Sequence, residues 1–299
     1  MIGNIVAGIY APTGAAPFDN TVNYLVVAGG GSGSGGAGGA GGLRCTVTAT
    51  GGGGSLESPL TLSASTNYTV TIGAGGAAVN TFNGSAWIDG NNGNNSVFAT
   101  ITSTAGGGGR QQSSQENGFS GGSGGGGAYG GSGGAGTSNQ GFAGGGSSQA
   151  GDRGNGGGGG AGAVGTAGDA SGGGDGGNGV TTSISGSSVT YAGGGGGGGF
   201  GNGGRTAAGG TGGGGASSPS PNTNAVSGTA NTGGGGGGAR NGSSVPAGTF
   251  SGAGGSGVVI LRWTNGTINI GAGLTGTVSS SGGFQIATIT AGTGNVSWV

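Results

Sequence analysis

A chain of 299 residues with 97 glycines, six arginines, seven acidic residues and neither lysine nor histidine excludes much chemistry before any motif is sought. Without histidine there is no Ser-His-Asp or Cys-His centre, and without lysine no P-loop. With Cys45 as the single cysteine there is neither an intrachain disulfide nor a thiolate metal site. A net charge of −1 gives little electrostatic steering, and Arg44, Arg110, Arg153, Arg205, Arg240 and Arg262 are too scattered to form a nucleic-acid patch.

Residues 1–20 read as a leader, mildly apolar at Ile2, Ile5, Val6, Ile9 and Tyr10 and ending in Pro12, Pro17 and Phe18. It lacks a basic start and a long apolar run, so it does not read as a signal peptide or a membrane span. Val22–Ala28 follows as a strand apolar on both faces, hence buried within a sheet. After the glycine-rich stretch 29–42 come strand-like segments at Leu43–Ala49, Leu56–Leu62 and Tyr68–Ile72, the last alternating in the half-buried pattern. Ser96–Ser103 predicts one more strand, with Val97, Ala99 and Ile101 on one face. From Gly106 to Gly257 glycine runs alternate with short inserts, two of which, Val180–Ile184 and Val189–Tyr191, read as strands. Val258–Trp263 is again apolar on both faces and is expected to pair with the opening strand. Candidate strands at Thr267–Ile270, Phe284–Thr290 and Val296–Val299 complete a small β tail. Glycine costs roughly 1 kcal/mol per helix position, so almost no α-helix is expected.

The glycine runs decide the fold class. Collagen needs glycine at every third position and abundant proline, whereas these runs are contiguous and the chain has six prolines. A flexible linker is the competing reading. The low charge and the many Val, Ile and Thr between runs favour order. Glycine runs in the polyproline II backbone can pack side by side and exchange main-chain hydrogen bonds. The expected architecture is therefore mostly β plus irregular: bundled polyglycine II helices framed by β-strands over residues 21–263, with a small C-terminal β module over 264–299.

Functional signals are sparse. Gly36–Gly41 fits a dinucleotide fingerprint by chance, with no helix following. Gly172–Val180 resembles one calcium-binding β-roll repeat without tandem copies, and Asp175 and Asn178 read as turn residues. The seven acids show no paired arrangement. No catalytic, cofactor-binding or metal-binding residue is expected, and the chain does not read as an enzyme. Phe119, Tyr129, Phe142 and Phe200 interrupt the glycine either as plugs at its edge or as a contact platform. Arg110, Gln111, Gln112 and Glu116 would add polar contacts beside Phe119.

Five motifs, Tyr24–Gly31, Gly38–Arg44, Tyr68–Gly76, Ser188–Gly195 and Gly254–Trp263, occur in an order that resembles the glycine-rich domain of bacteriophage fibre and other virion proteins. The leader Met1–Gly8 resembles the starts of marine phage and cyanophage structural proteins. The resemblance implies a virion surface protein made in the host cytoplasm. The leading expectation is a tail fibre or host-adhesion component displaying loops from a rigid body. Capsid decoration, a head fibre or an extracellular filament subunit are the alternatives. The expected partners are other virion proteins through the leader, a host surface glycan or protein, and further copies of the chain as a homotrimer. Nucleic acid and membrane insertion are not expected.

Overall fold

The computed structural model describes residues 17–82, 86–111, 115–148, 154–199, 205–221, 223–240 and 249–299. Twelve strands run through them: β1 (Thr21–Val27), β2 (Leu43–Cys45), β3 (Leu60–Thr61), β4 (Tyr68–Thr71), β5 (Ser96–Phe98), β6 (Ile101–Ser103), β7 (Val180–Thr182), β8 (Val189–Tyr191), β9 (Val258–Trp263), β10 (Ile268–Ile270), β11 (Leu274–Ser281) and β12 (Phe284–Trp298). Ten form one antiparallel sheet in the order β2-β1-β9-β12-β4-β5-β6, with β3 on β1 and with β10 and β11 on β12. β7 and β8 form a separate hairpin.

The two strands that are apolar on both faces sit side by side, as expected: Asn23–Val27 pairs with Val258–Arg262. Alternate side chains then serve two cores. Val22, Tyr24 and Val26 of β1 join Val259, Leu261 and Trp263 of β9, Val70, Phe98 and Ile101 of β4–β6, and Ala287, Ile289, Val296 and Trp298 of β12. Leu25, Val27, Val258 and Ile260 point the other way, onto Leu43, Cys45 and Ile286, and are covered by Val180, Ile184 and Tyr191 of the β7–β8 hairpin. Burying each such side chain contributes about 1.5–3 kcal/mol. Phe18 stacks on Trp298 at 5.2 Å, and Trp263 meets the same ring edge-on at 5.8 Å, closing one end of the first core.

The sheet curls until its ends nearly meet. Ser103 Oγ of β6 donates to Val26 O of β1 at 2.8 Å, and Arg44 Nη1 of β2 reaches Thr102 O of β6 at 3.5 Å. The result is a nearly closed antiparallel barrel, and β12 supplies its spine. One stretch of β12 pairs with β9 and with β11; its far end pairs with β4 and with β10.

Among the described residues the glycine segments carry neither helix nor strand, and their backbones are nonetheless paired. Gly36, Gly39 and Gly42 donate to Arg110, Gly107 and Thr104; Ala37 and Ala40 donate to Gly156 and Gly159; Gly38 and Gly41 donate to Gly236 and Gly233, all at 2.8–3.1 Å. Partners thus recur at every third residue. The same rotation appears in Gly193–Gly198, whose donors go to 212 and 215, to 177 and 174, and to 38 and 35. Alanine fits at Ala37 and Ala40, whereas at other positions only glycine permits the spacing. A Cβ on Gly195 would lie 2.1 Å from Gly236 O, and one on Gly158 would lie 2.0 Å from Gly38 O.

These findings correct the expected architecture. Polyglycine II helices framed by strands are not its organising element: the described residues contain no helix, and the regular structure is the curled sheet. Nor do the C-terminal strands make a small module beside it, because β12 is 15 residues long and pairs with β9 and β4. The physical reason is that apolar burial, which glycine cannot supply, is concentrated in the strands. The expected near absence of α-helix agrees with the structure.

Gly195→Ala should destabilise the fold by about 3 kcal/mol through forced overpacking against main chain. Gly282→Asn, in the β11–β12 turn where φ is +58° and nothing lies within 4 Å of the added Cβ, should stay within about 0.5 kcal/mol. Urea unfolding of the two variants beside the parent checks both values.

Candidate functional site

Arg110 stands at the end of the segment Gly106–Gly109, and its backbone is fixed on two sides. Its N–H donates to Gly126 O at 3.2 Å, and its carbonyl accepts from Gly36 N at 2.8 Å. The guanidinium is therefore presented from a paired backbone. Nη1 donates to Asp89 Oδ2 at 2.8 Å, Nη2 pairs with Glu116, and Cζ lies 4.3 Å above the Phe119 ring. A cation–π contact of this kind contributes about 0.5–2 kcal/mol. Asp89 also accepts the Gln111 N–H at 3.1 Å. One arginine thus gathers two carboxylates and an aromatic ring.

The neighbouring turn is stitched to this cluster. Glu116 and Ala128 exchange backbone hydrogen bonds at 3.4 and 3.2 Å, Gln115 Nε2 donates to Gly130 O at 3.0 Å, and Ser132 N donates to Asn117 Oδ1 at 2.9 Å. Tyr129 lies at the apex with φ of 50°, followed by Gly130 at φ 86°. A tyrosine in the left-handed region is uncommon, and here the residue is 49% exposed. The arrangement offers an aromatic and hydrogen-bonding surface whose one cation is paired with two carboxylates, leaving one negative charge in excess.

The structure thus brings together Arg110, Gln111, Glu116, Phe119 and Tyr129 of the sequence candidates, with Gln111 buried. Phe142 belongs elsewhere, beside the Gly51–Gly54 loop, where a Cβ on Gly53 would stand 3.4 Å from its Cζ. Gln112, Phe200 and the leader residues Ile2, Ile5, Val6, Ile9 and Tyr10 lie outside the described residues. Sequence reasoning missed Asp89 as the second carboxylate on Arg110, and the Phe82–Trp87 pair, 5.2 Å apart, on the same connection. Asp175 and Asn178 serve as acceptors: Asp175 takes Arg205 Nη1 and Ala208 N at 2.8 Å, and Asn178 takes Thr211 N at 3.1 Å. Among the described residues no group of three or more His, Cys, Asp or Glu side chains is placed to hold a metal.

A second polar cluster lies on the sheet. Arg44 grips Glu57 with two hydrogen bonds, Nε to Oε1 at 2.9 Å and Nη2 to Oε2 at 2.7 Å, and Tyr24 OH donates to the same carboxylate at 2.6 Å. The bidentate fork is the strong geometry for this pair. The two groups open onto a pocket of about 340 Å³ lined also by Ser55, Ser138, Asn139 and Gln140. Burial, and then the bond to Glu57, push the Tyr24 phenol well above its ordinary value of 10.0. The bond to Glu57 raises the Arg44 guanidinium as well, against the opposing effect of burial. A phenol raised on folding adds stability that is complete below pH 10 and is lost as the unfolded chain ionises above it. Wild-type stability should therefore fall by about 1.4 kcal/mol per pH unit above pH 10 for this one group. Tyr24→Phe should cost about 1–2 kcal/mol at pH 7 and flatten the alkaline limb. Tyr191, raised by its own burial, should keep part of the slope. Unfolding followed at pH 7 to 11 checks the difference.

Neither the curated proteins nor the solved structures contain a match to this chain. The model of one family, described as the glycine-rich domain, matches residues 7–264. That span takes in β1 to β9, every glycine run and both polar clusters, and the chain belongs to the glycine-rich domain family.

Proposed function

We propose that this protein is a non-enzymatic structural component of a phage virion, with a rigid glycine-rich body that displays loops for host adhesion. The observation that carries this reading is the Arg110–Phe119–Tyr129 surface. Its loops spring from backbone already paired on both sides, and its apex exposes an aromatic ring, the side-chain type enriched at recognition surfaces. The order of the five glycine-rich motifs supports the virion setting. In this reading the leader attaches the chain to other virion proteins, and the partner is a host surface glycan or protein.

A purely structural place on the capsid is the second reading. It is favoured by the pairing of Arg110 with both Asp89 and Glu116, which engages the surface's one cation within the chain. Copies per particle separate the two: a few at the tail fit adhesion, hundreds on the shell fit decoration.

Particles carrying Tyr129→Ala should adsorb to host cells about tenfold more slowly or worse, the loss of a hot-spot aromatic, while the purified protein keeps its unfolding midpoint. Adsorption at the parental rate with normal incorporation would remove the adhesive role from this surface.

A further inference from the structure

The sheet ends at β11 without protection. β11 pairs with β12 alone, and among the described residues nothing occupies its other side. All but Leu274 and Gly276 of its eight residues are exposed. Exposed edges are ordinarily blunted by charge, proline, a bulge or a cover. The strand Leu-Thr-Gly-Thr-Val-Ser-Ser-Ser has neither charge nor proline. The register shift near Thr275/Gly276 places the extra residue, Thr290, on β12, so β11 runs unbroken.

The hairpin fixes which backbone groups face outward. Gly282 and Gly283, with φ of 58° and 82°, form the two-residue loop that closes the hairpin, and such a loop makes Ser281–Phe284 a hydrogen-bonded pair. Counting back, Ser279 and Thr277 also bond to β12. Gly276, Val278 and Ser280 therefore turn their N–H and C=O groups to the open side. Val278, 49% exposed, is the centre of that set.

We propose that β11 is a self-association edge whose occupant is the β11 of a second copy of this chain, paired antiparallel about Val278. In that register Val278 meets Val278 of the partner subunit, and Gly276 of each copy meets the other's Ser280. All three outward-facing residues of each copy gain partners. Thr277 and Ser279 lie opposite each other, a favourable hydroxyl pairing. No charge is opposed, because the strand has none. A shift to any other register leaves at least one outward group unpaired. The contact is isologous, so it closes at two copies rather than at the three that the fibre resemblance suggests. It is independent of the adhesion reading.

The test is sedimentation of the full chain up to roughly 100 μM, where a micromolar contact is mostly formed. The expected result is a dimer. Val278→Pro should be a monomer with an unchanged unfolding midpoint, because the lost N–H points away from β12 and proline is tolerated at such positions. A monomeric or trimeric parent, or a dimer that survives Val278→Pro, overturns the proposal. If Val278→Pro fails to fold, Val278→Cys decides. A hydrogen-bonded pair sets the two Cα atoms about 5.5 Å apart, within the roughly 4.4–6.8 Å a disulfide spans. Mild oxidation should then cross-link Val278→Cys as a dimer, and neither Thr277→Cys nor the parent, whose Cys45 is buried. Absence of that cross-link, or equal cross-linking of Thr277→Cys, overturns the proposal.

Discussion

A buried peptide group must find a hydrogen-bond partner, and in this protein much of the interior is peptide with no side chain attached. The segments that meet at Gly38 illustrate the constraint. Gly38 donates to Gly236, accepts from Gly195, and has Gly31 O lying 2.0 Å from where its own Cβ would project. A methyl group there would collide with a carbonyl, and retreat would break bonds to two other segments. Glycine is required at this site by the nearness of other backbone, and conformational freedom is secondary.

Such pairing does not organise itself. Ordering a residue costs about 1–2 kcal/mol, with glycine at the expensive end, and a hydrogen bond returns about 0.5–1.5 kcal/mol net. The strands supply what is missing, and they connect directly to the runs. β1 passes into residues 29–42 and β8 into 193–199, while residues 252–257 pass into β9. At the junction Val27 pairs with Val258, and a Cβ on Gly257 would stand 2.1 Å from Val27 O. The apolar sheet thus sets the height at which each glycine segment begins, and the main-chain pairing inherits that register.

What the sequence made legible follows from this division. Val22–Ala28 and Val258–Trp263 announce themselves because both faces are apolar, and their pairing follows from burial. Other strands were hidden for identifiable reasons. Ser96–Ser103 looks continuous, yet Ala99 at φ 51° folds it into the β5–β6 hairpin. Leu56–Leu62 keeps only Leu60–Thr61, after Pro59. β11 was invisible because an edge strand whose only large apolar residues are Leu274 and Val278 has no apolar alternation to read. Ala291–Asn295 resembles a turn, and only its neighbours β4 and β11 keep it within β12. At the candidate site, Arg110, Glu116 and Phe119 share one loop and could be grouped by eye. Asp89 comes from a distant connection, and Tyr24–Glu57–Arg44 assembles over 33 residues; no local pattern announces a contact of that range.

The recurrence of hydrogen-bond partners at every third residue sets a grammar for length. Inserting or deleting one or two residues inside a run would hand each following N–H to the wrong neighbour, while a change of three would restore the assignment one step along. The turns between runs obey no such rule, since their ends need only reach. Variation among related chains should accordingly be quantised within the body and unrestricted at its periphery, where sequence drift is free to alter what the surface touches.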